Sequence, residues 1–234
     1  MKKDLICVIP ARAGSKRIKN KNFKLFCNKP IISQVIGNLK KSNFFSEIFV
    51  STNSNQISKI SDKLGVKVLR RSEKLSDDYT DTKTVICDAI KKIKKLNYSF
   101  NKVCCIYPTS VFIEIAKLKK AEKILKKNVP YVFSAKEYLH PIYRSFYRDK
   151  YNYLKKNFPN SMNKRTQDIK NVFHDAAQFY LGWNESWENK LDIFDKNSKF
   201  IAFPKLSSLD IDDYEDWKIA ELLWKTKQKK RINI

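Results

Sequence analysis

The sequence has 234 residues, of which 42% are apolar, 13% aromatic and 31% charged; this is the make-up of a globular chain with a sizeable core, and it excludes a disordered or collagen-like protein. Its formal charge of +24 is weak support for a nucleic-acid partner, because only eight of the 48 basic residues are Arg and the lysines are spread through every predicted helix and loop. No apolar run approaches the ~20 residues of a bilayer-spanning helix and the apolar stretch near Met1 is too short for a secretory signal, so a cytoplasmic protein without membrane insertion is expected.

Through the first 130 residues, apolar runs alternate with helical patterns. Asp4–Pro10, Glu47–Thr52, Val66–Leu69 and Lys102–Tyr107 read as buried strands, since near-continuous apolar runs suit a parallel sheet covered on both faces. Between them Ile31–Leu39, Ile57–Leu64, Val85–Leu96 and Ile115–Leu125 place apolar residues at three- and four-residue steps, as amphipathic helices do. The β-α-β-α order predicts a doubly wound α/β fold with a mostly parallel sheet. After Pro130, strands are expected at Tyr131–Ala135, Tyr143–Tyr147, Val172–Leu181 and Lys199–Phe203, with a polar, irregular stretch over 148–170. One domain over residues 1–234 is expected, with residues 134–175 as an excursion that carries substrate contacts, a dimer surface or both. Tyr214–Trp224 predicts a closing helix, followed by a solvated, frayed basic tail at Lys225–Arg231.

The five cysteines are odd in number, lack C-x-x-C spacing and sit in apolar segments, which predicts reduced, buried thiols. With two histidines, His140 and His174, a His-rich metal cluster is also excluded.

Two segments carry chemistry. The first, IPARAGSKRIKNKN (Ile9–Asn22), follows the first strand and therefore lies at its carboxyl end, where open α/β sheets bind ligands. It holds Arg12, Lys16, Arg17, Lys19 and Lys21, one glycine, Gly14, and no acid. A turn with converging cations suits a polyphosphate, with backbone N–H groups and Arg or Lys heads meeting the oxygens. A plain basic surface loop is the competing reading, and the position at the first βα turn decides against it. The four glycines assemble neither G-x-x-x-x-G-K-[ST] nor G-x-G-x-x-G, so a P-loop enzyme and a standard dinucleotide binder are both excluded. The second segment is Leu209–Asp216, LDIDDYED, in which alternation puts Asp210 and Asp212 on one side and Ile211 toward the core. Two carboxylates on one edge can hold Mg²⁺, whose remaining oxygens come from water and substrate phosphates. Helix capping by Asp212 or Asp213, with Glu215 and Asp216 at the positive end of the helix dipole, is compatible with that role.

These segments, together with LFCNKPII, STN, LSDDYTDT, YPTS and the terminal LDIDDYEDW, resemble the cytidylyltransferases that activate nine-carbon acidic sugars, the CMP-sialic acid synthetase group. The likeness runs from residue 5 to about 224. Asn163–Gly182, NKRTQDIKNVFHDAAQFYLG, is similar to the T-R-T-Q-D-L…Y-H-D-A-G segment of the pseudaminic acid branch. The resemblance implies a nucleotide-diphospho-sugar transferase fold that forms a homodimer through the excursion, and transfer of CMP from CTP to a nonulosonic acid with release of pyrophosphate. It also implies roles. Arg12 and Lys21 would hold the triphosphate, with Asn22 and the Ala13–Gly14–Ser15 backbone near base and phosphates; Asp210 and Asp212 would hold Mg²⁺, and Arg12, Lys21 and Asp212 would be catalytic. For the sugar, the implied contacts are Arg165, Gln167, His174 and Gln178. His174 competes as a satisfied core histidine, and strand alternation predicts His174, Ala176 and Gln178 on one side, apart from Asp175, so no His–Asp pair is expected.

Four positions depart from the wider family pattern. Ala13 replaces a frequent Gly, Asn53 an Asp, and Tyr107 the Gln of Q-P-T-S in sialic acid enzymes; Thr109 and Ser110 stand where octulosonate enzymes carry a metal-binding Asp. The last predicts reliance on the C-terminal acids alone. Alternatives are CMP-sialic or CMP-legionaminic acid synthesis, a catalytically silent nucleotide-binding relative, and a basic nucleic-acid-binding protein with Tyr and Phe as stacking platforms.

Overall fold

A computed structural model describes residues 4–204 and 209–232. Strands β1 (Leu5–Pro10), β4 (Ile48–Thr52), β5 (Lys67–Arg70), β6 (Lys102–Ile106), β7 (Tyr131–Glu137), β10 (Phe173–Trp183) and β11 (Lys199–Phe203) form a seven-stranded sheet in the order β11-β7-β10-β6-β1-β4-β5. Every neighbouring pair is parallel except those of β10, which runs antiparallel to both β6 and β7. Helices α1 (Ile31–Ser42), α2 (Asn55–Lys63), α3 (Thr82–Lys95), α4 (Ile115–Ile124), α5 (Asn184–Glu188) and α6 (Tyr214–Ile232) cover it.

Strand β1 shows why the predicted apolar runs are continuous. Leu5, Cys7 and Ile9 pack under α1, α2, α4 and α6, while Ile6 and Val8 face α3 and α5, so a half-buried alternation has no place here. Four cysteines are buried, Cys27 is partly so, and all five are free. Gly182 in β10 allows the closest approach in the second layer: a Cβ there would lie 2.5 Å from Tyr131 Cδ1, whose ring meets Trp187 edge-on at 4.9 Å.

Two expectations are corrected and one element is added. The strand expected at Tyr143–Tyr147 is instead a 3-10 turn, Ile142–Arg144, set up by the fixed φ of Pro141; only Phe146–Arg148 is extended, as β8, and it pairs with β9 (Leu154–Lys156) inside the stretch read as irregular. Helix α6 continues through the segment expected to fray. A two-residue hairpin, β2 (Leu25–Phe26) with β3 (Lys29–Pro30), escaped notice because Cys27 and Asn28, both at positive φ, make a type I′ turn without the usual glycine.

Residues 138–172 leave the sheet after β7 and return into β10, with Glu137 paired to Phe173 at the stem. The β8–β9 ribbon stands on this arm with Phe146, Tyr147 and Leu154 exposed. Among the described residues, no helix is long and apolar enough to cross a membrane.

Candidate active site

Four segments emerge at the same edge of the sheet: the loop after β1, the residues after β5, those after β6, and the start of the reversed strand β10. The segment before α6 joins them from the far end of the sequence. Together they line a cleft of about 540 Å³. Arg12, Lys16, Arg17 and Lys21 from the first loop thus share one cavity with Asp210 and Asp212.

The loop is built on side-chain to backbone bonds. Asn22 Nδ2 donates to Arg12 O at 2.9 Å, closing the loop on itself, and Ala13 N–H donates to Asn53 Oδ1 at 2.9 Å. Asn53 in turn donates to Glu73 Oε2, which makes the residue after β4 a brace for the loop. Lys21 spans the cleft: its Nζ donates to Ile211 O at 2.8 Å and lies 3.5 Å from Asp212. Arg17 pairs with the same carboxylate at 2.8 Å, and Asp78 takes both Arg12 and Lys16. The ammonium of Lys16 and the guanidinium of Arg12 hold the Asp78 carboxyl below its ordinary range. Pairs reached by solvent in this way are weak and exchange partners easily.

The acidic segment divides its labour as the sequence suggests. Asp213 Oδ1 accepts from the N–H groups of Glu215 and Asp216, capping α6, and Asp216 Oδ2 reaches back to the N–H groups of Asp212 and Asp213. Ile211 is fully buried. Asp210 and Asp212 remain for the cleft. Although Asp210 keeps an exposed face, partial desolvation by the cleft walls, then the neighbouring charge of Asp212, push its carboxyl up to about 6 against the pull of Lys21. Two hard oxygen donors that repel one another fit a divalent cation, which would relieve the repulsion.

Arg71, at the carboxyl end of β5, lines the same cleft. It is 6% exposed, and its Nε and Nη2 are buried without a hydrogen-bond partner. Burial and the nearby Arg12 lower its pKa to about 10, partly offset by Asp88 and Glu73. Tyr107, Pro108, Thr109 and Ala177 add an uncharged stretch to the lining.

The cytidylyltransferase family model matches residues 6–232. The chain is 35% identical to pseudaminic acid cytidylyltransferase of Campylobacter jejuni over 94% of its own length and 96% of that protein's. The chain belongs to the cytidylyltransferase family. It is also 29% identical to the CMP-N,N'-diacetyllegionaminic acid synthase of Legionella pneumophila, over 96% of this chain and 97% of that one. Its fold is that of a CMP:2-keto-3-deoxy-manno-octonic acid synthetase solved with CTP, at a TM-score of 0.73, 12% identity, and coverage of 96% of this chain and 100% of that one. Family membership and the Campylobacter relative make the chain a CTP-dependent nucleotidyltransferase.

In this cytidylyltransferase the residues expected to meet the nucleotide converge, whereas those expected to meet the sugar do not. Arg165 and Gln167 lie at an exposed 3-10 turn of the arm, outside the cleft. His174 is exposed, with its ring 4.8 Å from that of Tyr138, so the core-histidine alternative fails. Gln178 is buried, its Nε2 donating to Ala176 O and its Oε1 unpartnered. The expected grouping of His174, Ala176 and Gln178 is corrected by a register shift between Asp175 and Tyr180, where Ala177 takes φ 49° and breaks the alternation. Arg71 was missed, although its place after a strand is the signal that singled out the first loop. Nothing in the sequence marks Ala177, because bulges carry no period.

Proposed function

We propose that the protein transfers the cytidylyl group of CTP to pseudaminic acid. The observation that carries this reading is the meeting of the Arg12–Lys21 loop with Asp210 and Asp212 in one cleft, tied by Lys21. The sugar's anomeric oxygen attacks the α-phosphorus, the bond to the β-phosphate oxygen breaks, pyrophosphate leaves, and the hydroxyl proton passes to solvent. Arg12, Lys16, Lys21 and Arg71 neutralise the phosphates and hold the nucleotide for in-line attack. Asn22 and the Ala13–Ser15 backbone shape the loop around it. Asp210 and Asp212 would hold Mg²⁺, which supplies charge neutralisation on the phosphates and lowers the pKa of a coordinated hydroxyl.

The similarity to pseudaminic acid enzymes supports this sugar over legionaminic or sialic acid. A homodimer fits the arm: Phe146, Tyr147, Tyr151, Tyr153 and Leu154 are 54–69% exposed there, an apolar surface that a second copy would cover. The setting is the cytoplasm, where CTP is available. The test is pyrophosphate release across four nucleoside triphosphates and a panel of nonulosonic acids with Mg²⁺. Turnover with CTP and pseudaminic acid is expected; a preference for legionaminic or sialic acid would refute the sugar assignment.

A further inference from the structure

The slip in β10 is held by three side chains. Asp175 Oδ1 accepts from Ala177 N–H at 2.9 Å, and its Oδ2 accepts from the Tyr180 hydroxyl. Ser134 Oγ accepts from the N–H groups of Gln178 and Phe179, and the Ser110 hydroxyl donates to Gln178 O at 3.0 Å. Of the three, only Asp175 grips both ends of the slip, and it is the one charged acceptor, which makes its bonds the stronger. The grip keeps Ala177 at φ 49°, a left-handed conformation that an alanine adopts only under constraint.

The slip shapes the cleft. It brings Ala177 into the cleft lining together with Tyr107, Pro108 and Thr109. Tyr180 meets the ring of Tyr107 edge-on at 5.7 Å, and the Tyr107 hydroxyl is hydrogen-bonded to Thr82 at 2.6 Å. This wall has no cation, so it does not suit a triphosphate. It lines the same cleft as Asp210 and Asp212, so a sugar seated against it would share that cleft with the nucleotide. We propose that Asp175 is a positioning residue for the acceptor sugar: by clamping Ala177 and Tyr180 it fixes the uncharged cleft wall against which the sugar is seated. This rests on the reading of the cleft as the site for CTP and sugar.

The experiment compares Asp175→Ala, Asp175→Asn and Tyr180→Phe in the full chain. It measures kinetics with CTP and pseudaminic acid, equilibrium CTP binding, and amide hydrogen exchange over 173–181. Asp175→Ala is expected to raise the sugar KM about ten- to a hundredfold, the effect of a lost hydrogen bond to a charged group, with CTP affinity changed by less than about twofold. Asp175→Asn keeps a carbonyl oxygen for Ala177 N–H and is expected to recover part of the loss. Should Asp175→Ala fail to fold, Tyr180→Phe removes one half of the clamp and is expected to shift the sugar KM in the same direction by less. Equal weakening of sugar and CTP, or an unchanged sugar KM, would assign Asp175 to folding alone and overturn the proposal. If the unmodified protein releases no pyrophosphate with pseudaminic acid, the functional reading falls instead, and exchange decides the clamp: unchanged exchange at Ala177 in Asp175→Ala would overturn it.

Discussion

Replacing Arg71 with methionine is expected to stabilise the nucleotide-free protein and to weaken its complex with CTP. The guanidinium is charged at neutral pH in both the folded and unfolded chain, so its lowered pKa is a penalty on the fold. The fall from the ordinary guanidinium range to about 10, at about 1.36 kcal/mol per pH unit, is a penalty of about 3 kcal/mol. It is present below pH about 10 and is relieved only as the pH rises above that value. Methionine keeps much of the aliphatic volume and needs no hydrogen bonds, so a net gain of about 1–2 kcal/mol is expected, or roughly 2–8 °C in Tm for a chain of this size. Against CTP, losing hydrogen bonds from a charged donor is expected to cost about 1.5–3 kcal/mol, roughly a ten- to 150-fold rise in Kd. Urea unfolding without nucleotide gives the first quantity and calorimetric titration with CTP the second. A variant less stable than the parent by more than about 1 kcal/mol would show that the fold itself satisfies the guanidinium. Unchanged CTP affinity would show that its free nitrogens face no ligand.

Other changes test the rest of the site. Arg12→Ala and Lys21→Ala are each expected to lower kcat/KM by about a hundredfold or more, whereas Lys155→Ala on the arm changes it by less than about twofold; equal losses would mean that only bulk charge matters. Because the Asp210 carboxyl is pushed up to about 6, rising pH from about 4 to 6 removes stability from the metal-free protein, and Mg²⁺ affinity drops as the pH falls through about 6. Titrating Mg²⁺ binding between pH 5 and 7.5 checks this, and a pH-independent affinity would contradict it. Gly182→Ala places a Cβ 2.5 Å from the buried Tyr131 ring, a clash of about 1–3 kcal/mol that thermal unfolding should show as a lower Tm.

The sheet core was legible because strands buried on both faces write continuous apolar runs, as in Ile6–Ile9 and Val103–Ile106. The meeting of Arg12 and Lys21 with Asp210 and Asp212 in one cleft was legible for a related reason: a loop after the first strand must lie at the binding edge of the sheet. The sugar side was not. Its expected residues sit beside a register slip and on an exposed arm outside the cleft, and neither leaves a period in sequence. Pro141 hid a turn inside an apparent strand, and Cys27–Asn28 made a tight turn from residues that rarely announce one.

Because β10 runs against β7 and pairs with it at Glu137 and Phe173, the intervening 35-odd residues are topologically the tip of a hairpin, a place where length is cheap to change. Shortening that tip to a simple reverse turn leaves every crossover of the sheet intact. Lineages could therefore redraw the tip, and with it whatever it recognises, while the nucleotide machinery stays untouched.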